Sequence, residues 1–210
     1  MIWIDVPQNT IEWETARLGK VTASNFAAIM ANNPKAFGDP AKRYALQVAL
    51  EIVTGRKAEY SFRSTDTERG HDMEPLARAL YEEQTFTEIG NGGFFDCGKY
   101  GASPDGLVGT DGVIEIKSVI ASVHEANILR GGIDPTYRWQ MIGELECSGR
   151  EWLDFVSYCS DFPEWKQLYT FRIFRADLAG EVEQLVARRE EFLKLVSEKV
   201  DLVNSWKESK

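Results

Sequence analysis

A cluster of potential metal ligands lies in the middle of the chain, where Asp105 is followed by Glu115 and Lys117. Asp105 belongs to a Ser-Pro-Asp-Gly turn, and Glu115 and Lys117 alternate with Ile114 and Ile116 in an apolar, β-branched segment. Because side chains alternate along a strand, the two charges are expected on one face and the two isoleucines on the other. Converging carboxylates suit Mg²⁺ or Mn²⁺, and a nearby lysine suits a water molecule or a phosphate oxygen.

A hairpin is expected to bring these residues together. Residues 94–102 have the composition of a strand, residues 106–112 that of a turn, and residues 113–118 that of a second strand. The alternative is a surface salt bridge between Glu115 and Lys117, a common use of such pairs. Charges within a core-like strand are costly unless they are paired or bound to a metal, which favours a functional site.

The chain resembles the PD-(D/E)xK nuclease superfamily through Pro104-Asp105 and Glu115-Ile116-Lys117. Three further blocks are similar to the lambda-type phage exonuclease (YqaJ-like viral recombinase) family and occur in that family's order. These blocks are Trp13 to Ser24, Arg69 to Arg78, and Tyr137 to Gln140. Several ordered blocks are far more specific than one short motif.

The resemblance implies a ligand set for the metal. Asp105 and Glu115 are the expected ligands, with the backbone carbonyl of Ile116 completing the inner shell, and Asp105 bridging if two ions bind. Glu74, on a helix of its own, is expected to bring a further carboxylate to the site. The implied cofactor is Mg²⁺, with Mn²⁺ able to substitute and two ions in each site.

Two further residues are expected at the reaction centre. Lys117 orients the attacking water or stabilises charge on the transition state, and whether it acts as a base stays open. Gln140 helps to hold the water or the metal shell. Many superfamily relatives carry Tyr four residues after this Gln, whereas this chain has Glu144.

A phosphate site is implied near the amino terminus. Arg17 and Ser24 match family positions that recognise a terminal 5′-phosphate, and Thr22 belongs to the same block. A guanidinium and hydroxyl groups at a helix start both suit phosphate oxygens. Thr22 or Ser24 is also expected to cap a short helix.

The activity implied is that of a Mg²⁺-dependent 5′→3′ exonuclease on linear double-stranded DNA, which releases mononucleotides and leaves a 3′ single strand. Its context is phage recombination in the host bacterial cytoplasm, with a single-strand-annealing protein as partner and a toroidal homotrimer as the assembly. One alternative is a structure-selective or nicking endonuclease. Another is a non-catalytic DNA-binding module of recombination.

Composition is consistent with one nuclease domain spanning residues 1–210. The hydrophobic content of 43% argues against disorder, and no apolar segment approaches the length of a membrane span. Three cysteines cannot supply the four thiolates of an iron–sulfur cluster, so free thiols are expected.

The net charge of −9 is unusual for a protein that binds DNA, since duplex binding relies on Lys and Arg. Either the chain does not bind nucleic acid or a local basic channel does so. Basic residues near the suspected site, including Arg17, Lys20 and Arg138, favour the channel.

Hydrophobic periodicity and turn residues predict an α/β fold. The resemblance refines this to a restriction-endonuclease-like core with a central mixed β-sheet flanked by α-helices. Helices are predicted at 22–30, 39–54, 67–84, 137–146 and 177–206, and strands at 92–95, 100–103, 113–118, 152–158 and 167–174.

Overall fold

Strand β7, Gly112–Ser118, carries Glu115 and Lys117 through the middle of the larger of two sheets. The structure, a computed structural model, describes residues 1–58 and 65–205, and only the backbone of residues 65–72. The helices are α1 Ile11–Arg17, α2 Phe26–Met30, α3 Asp39–Thr54, α4 Thr65–Thr85, α5 Ala121–Arg130, α6 Arg138–Ser148 and α7 Ala179–Ser205. The other strands are β1 Ile2–Ile4, β2 Val21–Thr22, β3 Ile89–Asn91, β4 Phe94–Asp96, β5 Tyr100–Ala102, β6 Gly106–Val108, β8 Trp152–Tyr158 and β9 Leu168–Phe174.

Both sheets are mixed. The larger has the order β3-β6-β7-β8-β9, in which β7 pairs antiparallel with β6 and parallel with β8. The smaller has the order β1-β4-β5-β2, and its single parallel pair among the described residues joins β2 to β5. The predicted α/β class with a mixed sheet flanked by helices is therefore confirmed.

Strand β7 is covered on both faces, which explains why it is apolar apart from its two charges. Ile114 and Ile116 pack with Ala77 and Tyr81 of α4 in one core. Val113 belongs to the other core, to which α6 contributes Met141 and Leu145. The predicted alternation is present, and the face that carries Glu115 is as enclosed as the isoleucine face.

The expectation of a turn over residues 106–112 is wrong in its length. Residues 106–108 form β6, which pairs with β3 on one side and with β7 on the other. The sequence predicts Gly106 in the turn, but a Cβ there would collide with the side chains of Ile89 and Ile114. Close approach between strands, rather than a turn, explains the glycine.

The amino-terminal helix differs from its prediction. Val21 and Thr22 are held in β2, a 3-10 turn spans Ala23–Asn25, and α2 covers only Phe26–Met30. Thr22 makes no side-chain capping bond and neither does Asn25, the residue before α2, so the predicted cap is wrong. The hydroxyls of this segment are therefore not used in capping.

Most of the longer elements lie where periodicity predicts them. α3 spans the predicted residues and ends at Gly55, whose left-handed backbone suits glycine. β8 also matches, whereas β1, α1, β3 and α5 lay outside the predicted elements. The three cysteines are free thiols. None of the helices in the described ranges is long and apolar enough to cross a bilayer.

Candidate active site

Asp105 lies between β5 and β6 and is folded back onto β7. Its Oδ2 accepts a hydrogen bond of 2.6 Å from the backbone N–H of Ile116, between Glu115 and Lys117. The turn is held from two sides. Arg78 of α4 donates to the backbone oxygens of Asp105 and Ile89, and Gln8 donates to that of Pro104 at 2.8 Å.

Glu115 is the centre of the polar cluster, with only 2% of its surface exposed. Its Oε1 accepts from Lys117 Nζ and from Gln140 Nε2, each at 2.5 Å. Its Oε2 is enclosed and makes no hydrogen bond to a described residue. A buried carboxylate oxygen without a donor is costly, and a cation would satisfy it.

The electrostatics of the cluster show a shortage of positive charge. Burial and the neighbouring charge of Glu115 raise the pKa of Asp105 well above its usual range, against the opposing effect of Lys117. Burial lowers the pKa of Lys117, but the carboxylates of Glu115 and Asp105 outweigh it and raise that pKa overall. Lys117 is therefore a stable ammonium group.

Glu74 and Gln140 both lie near this cluster. Glu74 is close enough for its charge to raise the pKa of Asp105. Gln140 contacts Glu115 directly from α6. In the Arg69–Arg78 block, the side chains that precede Met73, including that of His71, lie outside the described part of the structure.

Glu144 is a member of the cluster that the sequence reasoning did not assign. It lies one turn after Gln140 on α6, is 1% exposed, and accepts from Gln140 Nε2 at 2.9 Å. Burial and the charge of Glu115 raise its pKa well above the usual value. The signal was available, because Glu144 is a charge within the apolar stripe formed by Met141, Ile142 and Leu145.

The donor chemistry fits a hard divalent cation. Asp105 and Glu115 offer oxygen atoms, and Glu115 Oε2 has no hydrogen-bond donor among the described residues. Across the same ranges, no three His, Cys, Asp or Glu side chains converge as a ready-made metal site. Two carboxylates would therefore supply part of the ligand set, and a backbone oxygen and water would supply the rest. Mg²⁺ is commonly bound in this way.

A pocket with a volume of about 210 Å³ lies against helix α1. Two of the residues expected to bind phosphate, Arg17 and Thr22, line it. Ser24 lies beside it, with its Oγ 3.2 Å from Thr22 Oγ1. The other polar lining residues are Glu14, Lys20, Asn25, Tyr44, Gln47, Glu51 and Lys57. Among them, Lys20 is one of the basic residues expected near the site.

Arg17 differs from the other two basic residues that line this pocket, because it has no ion pair with a described residue. Lys20 is paired with Asp96 at 2.7 Å, and Lys57 is paired with Glu14 at 2.5 Å. The guanidinium of Arg17 instead lies 3.8 Å above the Trp13 ring and forms no hydrogen bond or ion pair with a described residue. Burial lowers its pKa to about 10, although the charges of nearby groups partly offset this. An anion would stabilise it.

Trp13 joins the two sites. Its ring lies under Arg17, and its indole Nε1 donates to Ser103 Oγ at 3.0 Å, two residues before Asp105. Thr10 fixes the start of the helix by accepting from the backbone N–H of Trp13 at 3.2 Å. One side chain thus contacts both Arg17 in the pocket and the turn that leads to Asp105.

Comparison with known proteins identifies a matching family. The family model of the YqaJ-like viral recombinase domain matches residues 12–151, a range that contains both sites. No curated protein matches the chain.

Among solved structures, an alkaline exonuclease from Laribacter hongkongensis is 35% identical, with a TM-score of 0.80 over 93% of this chain and 96% of that one. The same enzyme in complex with dAMP has a TM-score of 0.77 at 35% identity, covering 90% and 95% of the two chains. A phage-related exonuclease from Haemophilus somnus is 17% identical, with a TM-score of 0.62 over 89% and 95%, and supports the fold alone. The restriction-endonuclease-like core is thereby confirmed.

Proposed function

We propose that this chain, which belongs to the YqaJ-like viral recombinase family, is a metal-dependent 5′→3′ exonuclease that degrades linear double-stranded DNA to mononucleotides. The observation that carries the proposal is that Trp13 links Arg17, which has no ion pair with a described residue, to the turn that leads to Asp105 of the carboxylate and lysine cluster. Its similarity to an alkaline exonuclease supports nuclease chemistry, and the dAMP bound to that relative is a nucleoside monophosphate.

The reaction needs positive charge near the scissile phosphate, because the anionic diester repels nucleophiles. Asp105, Glu115 and the backbone carbonyl of Ile116 would hold Mg²⁺, with Glu74 as an additional carboxylate. A bound divalent ion supplies Lewis-acid stabilisation of the phosphoryl oxygens and lowers the pKa of water. Mn²⁺ fits the same oxygen ligands, and two ions in each site are part of the proposal.

Lys117 is the cation that the chain itself provides. It acts as a charged donor to a phosphate oxygen or to the attacking water, and the carboxylates of Glu115 and Asp105, which raise its pKa, favour that charged form. Gln140 holds Glu115 through its amide nitrogen and keeps its carbonyl oxygen as an acceptor.

The pocket around Arg17 selects the DNA end. A terminal 5′-phosphate carries more negative charge than an internal diester, so it suits an unpaired guanidinium flanked by the Thr22 and Ser24 hydroxyls. Because Trp13 ties this pocket to the turn before Asp105, a bound end places the first phosphodiester near the carboxylates. This arrangement supports the proposed 5′→3′ polarity and the proposed release of single nucleotides.

The assembly and partners belong to the same proposal. We expect a ring of three copies around the duplex, in the bacterial cytoplasm, that delivers a 3′ single strand to a single-strand-annealing protein of phage recombination. Exposed apolar side chains, among them Ile11, Leu129 and Trp165, offer surface that such contacts would cover. Light scattering at several protein concentrations measures whether a trimer forms.

One experiment separates the proposal from its alternatives. A closed circular duplex and the same plasmid linearised with 5′-phosphorylated ends are incubated with Mg²⁺, and nucleotides and strands are resolved. We expect the linear plasmid to be degraded to mononucleotides and the closed circular plasmid to remain intact. Cleavage of the circle favours an endonuclease, whereas binding of both without hydrolysis favours a non-catalytic module.

A further inference from the structure

Glu144 has no role in the mechanism above, although it is buried in the same cluster. Its Oε1 accepts from Gln140, and its Oε2 is enclosed with no hydrogen bond to a described residue. An acidic residue that serves only to stabilise a helix is normally at the surface, where water solvates it. The position of Glu144 therefore requires another explanation.

The two hydrogens of the Gln140 amide are both used. Nε2 donates to Glu115 Oε1 at 2.5 Å and to Glu144 Oε1 at 2.9 Å. An amide nitrogen carries two hydrogens, so Glu115 and Glu144 satisfy it completely. If the amide were reversed, its carbonyl oxygen would face two carboxylate oxygens, which is repulsive. Two acceptors thus define one orientation of the amide.

This orientation determines what Gln140 offers to the reaction. Its carbonyl oxygen makes no hydrogen bond to a described residue and is not among the enclosed polar atoms. It stays available as an acceptor, because Nε2 is the atom that faces the two carboxylates and the side chain of Gln140 is only partly buried. Without Glu144, one hydrogen of the amide would lose its acceptor and Glu115 alone would orient the group.

Helix α6 holds Glu144 rigidly. Residues four apart lie on the same face of a helix, which places Glu144 beside Gln140. Gly143 packs against Phe26 so closely that a Cβ there would overlap the ring. Met141 and Ile142 are fully buried, so the helix has little freedom to move away.

We propose that Glu144 is a positioning residue, which fixes the Gln140 amide so that Nε2 holds Glu115 and the carbonyl oxygen accepts from the attacking water. This inference rests on the proposed nuclease function and deepens it. Glu144 acts through Gln140 and touches neither DNA nor the water.

A double-mutant cycle tests the inference. Glu144→Met keeps the side-chain length but removes the acceptor, and it should lower kcat about tenfold with KM for linear duplex DNA unchanged. In a Gln140→Ala background the same substitution should change kcat by less than about twofold, because the group that it orients is gone. Equal losses in both backgrounds overturn the proposal, as does a change confined to KM.

Glu144→Gln provides the matched variant. It keeps the shape and an acceptor oxygen, so at least about a third of the wild-type kcat should remain. A loss of tenfold or more in this variant overturns the proposal, and this holds even if Glu144→Met does not fold. Wild-type protein without exonuclease activity would instead refute the proposed function itself.

Discussion

Lys117 Nζ lies 2.5 Å from Oε1 of Glu115, two positions away on the same face of β7. The pair is largely enclosed, with side-chain exposures of 23% and 2%. Glu115 thereby has one oxygen neutralised by the lysine and the other, Oε2, without a donor among the described residues. The strand thus presents a carboxylate and an ammonium group to the same small volume.

The first prediction concerns this pair and Asp105. Asp105→Ala or Glu115→Ala should abolish hydrolysis while binding of linear duplex persists, because the metal ligands are lost and the basic groups remain. Lys117→Ala should lower kcat on the order of 10²-fold, the typical cost of losing a group that stabilises developing charge. Single-turnover rates and DNA binding are measured on the same preparations.

Asp111→Asn is the matched control. Asp111 lies in the turn between β6 and β7 and is exposed, outside the carboxylate cluster. This variant should keep wild-type activity. Substantial Mg²⁺-dependent hydrolysis by folded Asp105→Ala or Glu115→Ala protein would contradict the assignment of the ligands.

The second prediction concerns pH and stability without metal. The folded-state pKa of Asp105 is raised above the unfolded value of about 3.9. At a pH between the unfolded-state and the folded-state pKa, Asp105 is ionised in the unfolded chain but still protonated in the folded one. The free energy of unfolding therefore decreases as pH rises through this range. Asp105→Asn removes this penalty. In EDTA the variant should melt above the wild type at pH 8, and the gap should close towards pH 4.

Addition of Mg²⁺ provides the second arm of that experiment. The ion should raise the melting temperature of the wild type more than that of Asp105→Asn, and more at pH 8 than at pH 5, because binding competes with protons. A wild type that melts above the variant at pH 8 in EDTA would show that Asp105 is not destabilised by its neighbours.

The third prediction concerns the contact between α6 and α7. Arg189 is 2% exposed, pairs with Glu146 at 2.6 Å and lies 3.4 Å from the centre of the Tyr100 ring. Glu146→Ala would leave a buried guanidinium without its anion, and should lower the free energy of unfolding by about 3–5 kcal/mol. Urea titration measures the change.

Glu14→Ala is the comparison for that prediction. The Glu14–Lys57 pair has side-chain exposures of 45% and 57%, so its removal should cost no more than about 1 kcal/mol. Similar losses in the two variants would mean that the Arg189 pair contributes no more than a surface ion pair.

Much of the hairpin from Asp105 to Lys117 could be predicted from sequence because its signals are local. Alternation along β7 and the Ser-Pro-Asp-Gly turn were enough to predict that Asp105 would approach Glu115 and Lys117. The same local signals wrongly predicted Gly106 as part of a turn. Glycine is required there because the side chain of Ile89, a residue distant along the chain, leaves no room for a Cβ. For Glu144 the sequence offers only a charge within an apolar stripe, and its place beside Glu115 depends on how α6 packs on β7.

The pocket around Arg17 also contains residues that local sequence signals did not predict. Arg17 and Thr22 were predicted from a family block and do line the pocket, but Tyr44 enters from α3 and was not foreseen. Its hydroxyl accepts from the Thr22 backbone N–H at 2.8 Å, a contact that no spacing rule predicts. Tertiary packing brings together polar groups whose sequence neighbours are unremarkable.

The last prediction tests the recognition of the DNA end. Arg17 has no ion pair among the described residues, so a terminal phosphate would be its first anionic partner. A charge-assisted contact contributes about 1.5–3 kcal/mol, or roughly 10- to 150-fold in rate if fully expressed. Arg17→Ala should therefore lower the rate on 5′-phosphorylated duplex and reduce its advantage over 5′-hydroxyl duplex by that factor, at fixed salt.

Lys57→Ala separates this specific effect from a general loss of positive charge. Lys57 lines the same pocket but is already paired with Glu14, so its removal should leave the preference between the two ends unchanged. The two variants lose the same formal charge, and only the unpaired cation should alter end selection. Equal losses on both ends in Arg17→Ala would make Arg17 a general backbone contact, and an unchanged preference would remove it from the phosphate site.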